Sequence, residues 1–169
     1  MGDSGPILLC YDGSDDAGTA IEQAASLFPG RQAVAVCFWQ PFAQVAKRFA
    51  VSLLEVVQEA ASVNGREAVL AQQLADAAAE IANRGGMVCE GVAVEVSKPI
   101  DEAIIAYADE IDAPAIVLGA RGRSAVGSML LGDVAHDVVQ RSTRAVLLVP
   151  SAPLSGRRRT ELGGLAREA

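Results

Sequence analysis

Short apolar runs alternate with helical stripes along most of the chain. Ile7-Leu8-Leu9-Cys10-Tyr11 follows Pro6 and stops at the turn Asp12-Gly13-Ser14, which predicts a first strand buried on both faces. Asp15 and Asp16 then open a helix, where acidic side chains suit the positive end of the dipole. Its apolar stripe is Ala17, Ile21, Ala24, Ala25 and Phe28, and Pro29-Gly30 ends it. Ala33 to Trp39 reads as the second strand, and Met87 to Val96 holds the third. Pro99 suits the first turn of the next helix, whose inner face is Ile100, Ile104, Tyr107 and Ile111. Ala115 to Leu118 is the fourth strand and Ala145 to Val149 the fifth, stopped by Pro150. Between them, Leu131 to Arg141 forms a helix with Val134 and Val138 on one face.

The stretch between strands two and three is longer than a crossover needs. Phe42, Val45, Phe49, Leu53, Val56 and Ala60 are spaced as an amphipathic helix. Asn64-Gly65 is expected to break it, and Leu70, Leu74, Ala77, Ala78 and Ile81 continue as a second helix. The first of these segments reads either as extra packing on the sheet or as a lid or partner surface.

Strands alternating with helices imply right-handed crossovers and a parallel sheet. If strand four lies beside strand one on the side away from strand two, the expected fold is α/β: a Rossmann-like, doubly wound five-stranded sheet of order 3-2-1-4-5, helices on both faces. That order places a switch point between strands one and four, where ligands bind outside the strand ends. Composition agrees: 51% of residues are apolar but only 4% aromatic, the usual filling for a sheet covered by helices.

Charge divides the chain. Residues 151–169 carry four Arg against two Glu, while the body through Pro150 carries ten basic against nineteen acidic side chains, a net of −9. The expected organisation is one domain over residues 1–150 and a disordered basic tail over 151–169. An acidic body argues against nucleic-acid binding. No apolar run approaches the roughly 18 residues of a membrane span, and Met1 to Pro6 lacks the features of a signal peptide, so the expected compartment is the cytoplasm. Cys10, Cys37 and Cys89 each sit in an apolar run and are expected as reduced core thiols. They lack metal-ligand spacing, and His136 has no partner for a metal site.

The candidate chemistry lies in the loop Gly119-Ala120-Arg121-Gly122-Arg123-Ser124-Ala125-Val126-Gly127-Ser128-Met129-Leu130-Leu131-Gly132-Asp133. Glycines admit close approach of an anion to backbone N–H groups, and Gly132 immediately precedes a helix N-terminus. Arg121 and Arg123 add fork-shaped donors suited to phosphate. The same glycines also serve turns alone. The loop is not a Walker A motif, since no Lys follows the glycines, and strand one lacks the dinucleotide fingerprint. No Ser/His/Asp or Cys/His order supports nucleophilic catalysis.

Three stretches resemble the universal stress protein family: the opening Ile7 to Ser14, the spacing of Gly119, Gly122 and Gly132, and the ending Ser142 to Pro150. The resemblance runs from residue 6 to 150. It implies a dimer, often through the final strand, here Ala145 to Val149, and an ATP site in the glycine-loop branch. Carried over by position, Asp12, with Gly13 in the same turn, would lie near the adenosine. Leu118 and Gly119 would flank the sugar or base, and Phe38 the adenine. Arg121, Gly122, Gly132, Asp133, Val134 and Ala135 would surround the phosphates.

One residue departs from the family pattern. After the last glycine the family has Ser or Thr, a hydroxyl donor, and this chain has Asp133. A carboxylate repels phosphate by roughly 4 kcal/mol at 4 Å and an effective dielectric near 20, before screening. A Mg²⁺ ion bridging Asp133 and phosphate would reverse that sign. The expectation is an adenine-nucleotide-binding module of stress response, with at most slow ATP hydrolysis. The alternative is a dimeric interaction protein of the same fold that binds no nucleotide. An adenylating or hydrolysing enzyme would need a motif the chain lacks.

Overall fold

The computed structural model describes residues 5–41, 53–122 and 131–150, with side chains in the long second helix described from residue 65. The element order is β1 (Ile7–Cys10), α1 (Asp15–Leu27), β2 (Gln32–Trp39), α2 (Leu53–Arg84), β3 (Val88–Glu95), α3 (Ile100–Glu110), β4 (Ala115–Gly119), α4 (Asp133–Arg141) and β5 (Ala145–Val149). The strands form one parallel sheet of order β3-β2-β1-β4-β5. This is the doubly wound arrangement expected from the sequence.

Strand pleating divides the core in two. Ile7, Leu9, Ala33, Ala35 and Val117 point toward α1 and α2, where they meet Ile21, Ala24, Ala25, Ala78 and Ala82. Leu8, Cys10, Val34, Val36, Ile116 and Leu118 point the other way, against Ile104, Ala108 and Val138. Full burial of a side chain such as Leu8 or Leu9 contributes about 2–3 kcal/mol. The first face is built largely of alanine, so α1 and α2 lie close to the sheet.

The two outer strands differ. Along β3 the outward backbone groups are taken up by amide side chains of α2. Gln72 Nε2 donates to Gly91 O (3.0 Å) and Gln72 Oε1 accepts from Ala93 N (3.1 Å). Asn83 repeats the pattern on Cys89, at 2.9 and 2.8 Å. Gly91 permits this approach, since a Cβ there would lie 2.6 Å from the Ala75 backbone. At the opposite edge β5 pairs only with β4 among the described residues.

Two expectations need correction. Asn64-Gly65 does not break the crossover: α2 runs unbroken from Leu53 to Arg84. A helical Gly costs only about 1 kcal/mol relative to Ala, and nothing lies within 4 Å of the Gly65 Cβ position to force a turn. The second correction concerns Pro99, which is the N-cap of α3 rather than a residue of its first turn. Residues 42–52 of the expected first amphipathic segment lie outside the described residues, as does the 151–169 tail. Among the described residues no helix is long and apolar enough to cross a membrane.

Candidate functional site

At the carboxyl ends of β1 and β4 the chain leaves the sheet in opposite directions, α1 to one face and α4 to the other. The gap is a cavity of about 610 Å³. Its apolar wall comes from the last residues of three strands (Cys10, Val36, Phe38 and Leu118) and from Ile100 and Ile104 on the first turns of α3. Phe38 is held by Tyr107, edge to face, with ring centroids 5.9 Å apart. Burial, with the Asp12 charge adding to it, pushes the Cys10 thiol well above its ordinary range, so it stays a neutral part of this wall.

The first polar wall is the β1–α1 turn. Asp12 Oδ1 accepts from Ser14 N (3.0 Å) and Ser14 Oγ (2.6 Å), and Ser14 Oγ in turn accepts from Ala17 N (3.2 Å), capping α1. Gly13 sits at φ +83°, a left-handed conformation open to glycine, with Leu74 3.2 Å from its Cβ position. Asp12 and Tyr11 line the cavity, but Gly13 does not; it shapes the turn that presents Asp12.

The second wall joins β4 to α4. Ala120 N donates to Val149 O and Gly132 N to Ala120 O, both at 2.8 Å. Gly132 is the N-cap of α4 and offers no side chain, so the first N–H groups of that helix have no side-chain cap. The three motif glycines serve different ends. A Cβ on Gly119 would lie 2.8 Å from Ala17 N and Asp16 C, so this glycine lets β4 meet the start of α1. A Cβ on Gly122 would lie 2.9 Å from Asp12 Oδ2, so Gly122 makes room for that carboxylate. At Gly132 nothing comes closer than 3.6 Å.

The cavity thus brings together Asp12, Phe38, Leu118, Gly119, Arg121, Gly122, Gly132, Asp133, Val134 and Ala135 from the sequence reading, and leaves out Gly13. Val134 and Val138 part company: Val138 is fully buried, whereas Val134 is 39% exposed at the cavity. Arg121 Nε lies 3.4 Å from Asp16 Oδ2. His136 stays outside, bonded to Asp137 and Gln140 of its own helix. Arg123 lies outside the described residues. Sequence reasoning missed Tyr11, Cys10, Val36, Ile100 and Ile104 as lining residues. Their signal, apolar residues at strand ends and on the first turns of α3, is also the signal of a core. Among the described residues no cluster of three His, Cys, Asp or Glu could hold a metal ion.

Comparison with known proteins agrees with this architecture. The family model described as "Universal stress protein family" matches residues 4–150. No curated protein sequence matches the chain. Among solved structures, the hypothetical protein MJ0577 superposes with a TM-score of 0.71 at 17% identity, over 87% of this chain and 96% of its own. The universal stress protein of Archaeoglobus fulgidus gives 0.64 at 24% identity over 87% and 99% of the two chains. Its complex with dAMP gives 0.56 at 21% over 88% and 99%. A universal stress protein in complex with cAMP gives 0.55 at 21% over 88% and 98%. These similarities establish the common fold, and the match of the family model over residues 4–150 establishes the family: the chain belongs to the universal stress proteins.

Proposed function

We propose that the protein is a cytoplasmic adenine-nucleotide-binding module of stress response, ATP among its ligands, and a binder rather than a fast enzyme. The observation that carries this is the cavity at the switch point. An apolar slot of Val36, Phe38, Ile100 and Ile104 has the character of a base site, and the same cavity is lined by Gly132 and Asp133 at the N-terminus of α4, which has no side-chain cap. Relatives of the same fold have been captured with cAMP and with dAMP, which supports the adenine class. Asp12 lines the same cavity, and its carboxylate is an acceptor of the kind a sugar hydroxyl needs.

A homodimer through β5 completes the reading. The β3 edge is blunted by Gln72 and Asn83, whereas β5 has one strand neighbour among the described residues. ATP needs help at Asp133, and a Mg²⁺ ion shared between this carboxylate and the phosphates would supply it. Asp133 also favours a second reading, an interaction protein of this fold that takes no nucleotide.

The test is calorimetric titration of the purified full chain with ATP, with and without Mg²⁺. Mass spectrometry of the denatured protein should come first, to detect co-purified nucleotide. Saturable micromolar binding is the expected outcome, lost in Gly132→Val while the thermal midpoint holds. Absence of both heat and bound nucleotide would leave the interaction protein as the better reading.

A further inference from the structure

Asp101 is the one buried charged side chain among the described residues. A buried ion pair is often no more stabilising than apolar side chains of the same volume, so its position in the fold matters more than its energy. Asp101 stands in the first turn of α3, in the chain between Ile100 and Ile104 of the cavity wall. Its Oδ2 accepts from Arg141 Nη1 at 2.6 Å, and the neighbouring Glu102 Oε1 accepts from Arg141 Nη2 at 3.3 Å. Arg141 is the last residue of α4, whose first turn also lines the cavity. Among the described residues, these two bonds are the polar side-chain links between α3 and α4. The two helices also share apolar packing, with Val138 in the same cluster as Ile104 and Ala108. Apolar side chains hold helices together but tolerate sliding and repacking, whereas a planar fork on two carboxylates admits one geometry.

Resting on the nucleotide reading above, we propose that Asp101 and Arg141 are positioning residues of the cavity: the fork of Arg141 on Asp101 and Glu102 sets where the first turn of α3, and with it Ile100 and Ile104, stands against α4. Neither Asp101 nor Arg141 lines the cavity, so both act through the two isoleucines. A site wall that is not fixed from behind binds loosely even when its own residues are right. The pair adds little to stability, because Arg141 is exposed and the Asp101 carboxylate is desolvated. Arg141→Lys separates charge from geometry. A lysine keeps a positive charge at the carboxyl end of α4, where the dipole favours it, but one ammonium cannot reproduce the fork.

The experiment is calorimetric titration of the full chain with adenosine, on wild type, Arg141→Met, Arg141→Lys and Asp101→Asn, with the thermal midpoint of each. Isoleucine methyl NMR spectra of wild type and the two Arg141 variants, recorded without ligand, accompany it. Arg141→Met and Asp101→Asn should each weaken adenosine binding by about fivefold, and Arg141→Lys should weaken it nearly as much. In both Arg141 variants the methyl signals of Ile100 and Ile104 should shift, while those of Ile7 and Ile21, across the sheet, hold still. Arg141 is exposed, so its variants carry the test even where Asp101→Asn disturbs folding. Variants that bind adenosine like wild type, with only a lowered midpoint, would overturn the positioning role and leave nucleotide binding standing. Unmoved Ile100 and Ile104 signals would overturn it as well, whether or not adenosine binds. Adenosine binding by no form would overturn the nucleotide reading, and the methyl signals would then decide by themselves whether the pair fixes the α3 turn.

Discussion

The two turns that wall the cavity look alike in outline, each carrying the chain from a strand end into a helix, yet they are built on opposite plans. The β1–α1 turn is knitted from its own side chains: Asp12 accepts twice from Ser14, and Ser14 caps α1. The described part of the β4–α4 connection uses backbone instead, through Ala120, Gly132 and Val149, and gives α4 no side-chain cap. The first plan makes a fixed wall that holds one carboxylate in place. Among the described residues, the second gives the first N–H groups of its helix no side-chain cap. A cap takes up one donor of a helix start, so under the proposed reading the α4 end keeps more to offer a ligand than the α1 end.

The sharpest way to break this contrast is at the glycines, because one motif contains both plans. Gly119→Ala should cost about 3 kcal/mol, since its Cβ would press on the Ala17 and Asp16 backbone, which cannot step aside cheaply. Gly132→Ala, with ordinary space around its Cβ, should cost under about 1 kcal/mol. Urea denaturation of the two variants measures the difference directly. Equal losses would mean that the glycines of the second wall are all structural.

A smaller effect is expected from pH, at the foot of the first wall. The folded Cys10 thiol titrates far above its ordinary value near 9, because burial and the Asp12 charge disfavour the thiolate. Above pH 9 the unfolded chain therefore binds fewer protons than the folded one, and stability falls as pH rises. The slope approaches about 1.4 kcal/mol per pH unit for this group. Cys89, pushed up to about 11 chiefly by burial, adds to the same fall. Urea midpoints between pH 8 and 10.5 should decline less steeply in Cys10→Ala than in wild type. Parallel declines would show that Cys10 does not carry the effect.

The smallest expected change concerns the cap. Ser14→Ala should cost about 1 kcal/mol, because Ala17 N loses its acceptor and Asp12 loses a donor. Asp12 would then be less well fixed, so adenosine affinity should fall modestly along with stability. A variant that loses stability and keeps its affinity unchanged would mean that the fixed wall matters only to the fold.

How much of this could be read from the chain follows from what leaves a local trace. The strands were legible because their apolar runs are short and bounded by turn residues, as in Ile7 to Cys10 before Asp12-Gly13. Their order rested on one condition, that β4 lies beside β1 on the side away from β2, which the sheet meets. The long α2 was misread at Asn64-Gly65, where local propensity is weak and the surrounding helix overrides it. Asp12, Arg121 and Asp133, singled out in the sequence for their polar chemistry, line the cavity. Ile100 and Ile104 were not, since an apolar wall has no pattern of its own. Asp16 was read as a helix opener, and only the fold shows its carboxylate against Arg121, 105 residues away.

The doubly covered sheet carries a further consequence, best put in terms of amide exchange. The cavity lies at the carboxyl ends of β1 and β4, the two strands whose own residues Leu8, Leu9, Ile116 and Val117 are fully buried. Amides there open to solvent only with the whole domain, so they report its global stability and nothing local. A bound ligand would slow them only by the amount it stabilises the entire fold. Amides of the described β4–α4 wall that touch a ligand, at Gly122 and at the start of α4, would gain protection beyond that amount. Amide by amide, the ratio of those two gains would separate occupancy of the cavity from stabilisation of the protein as a whole.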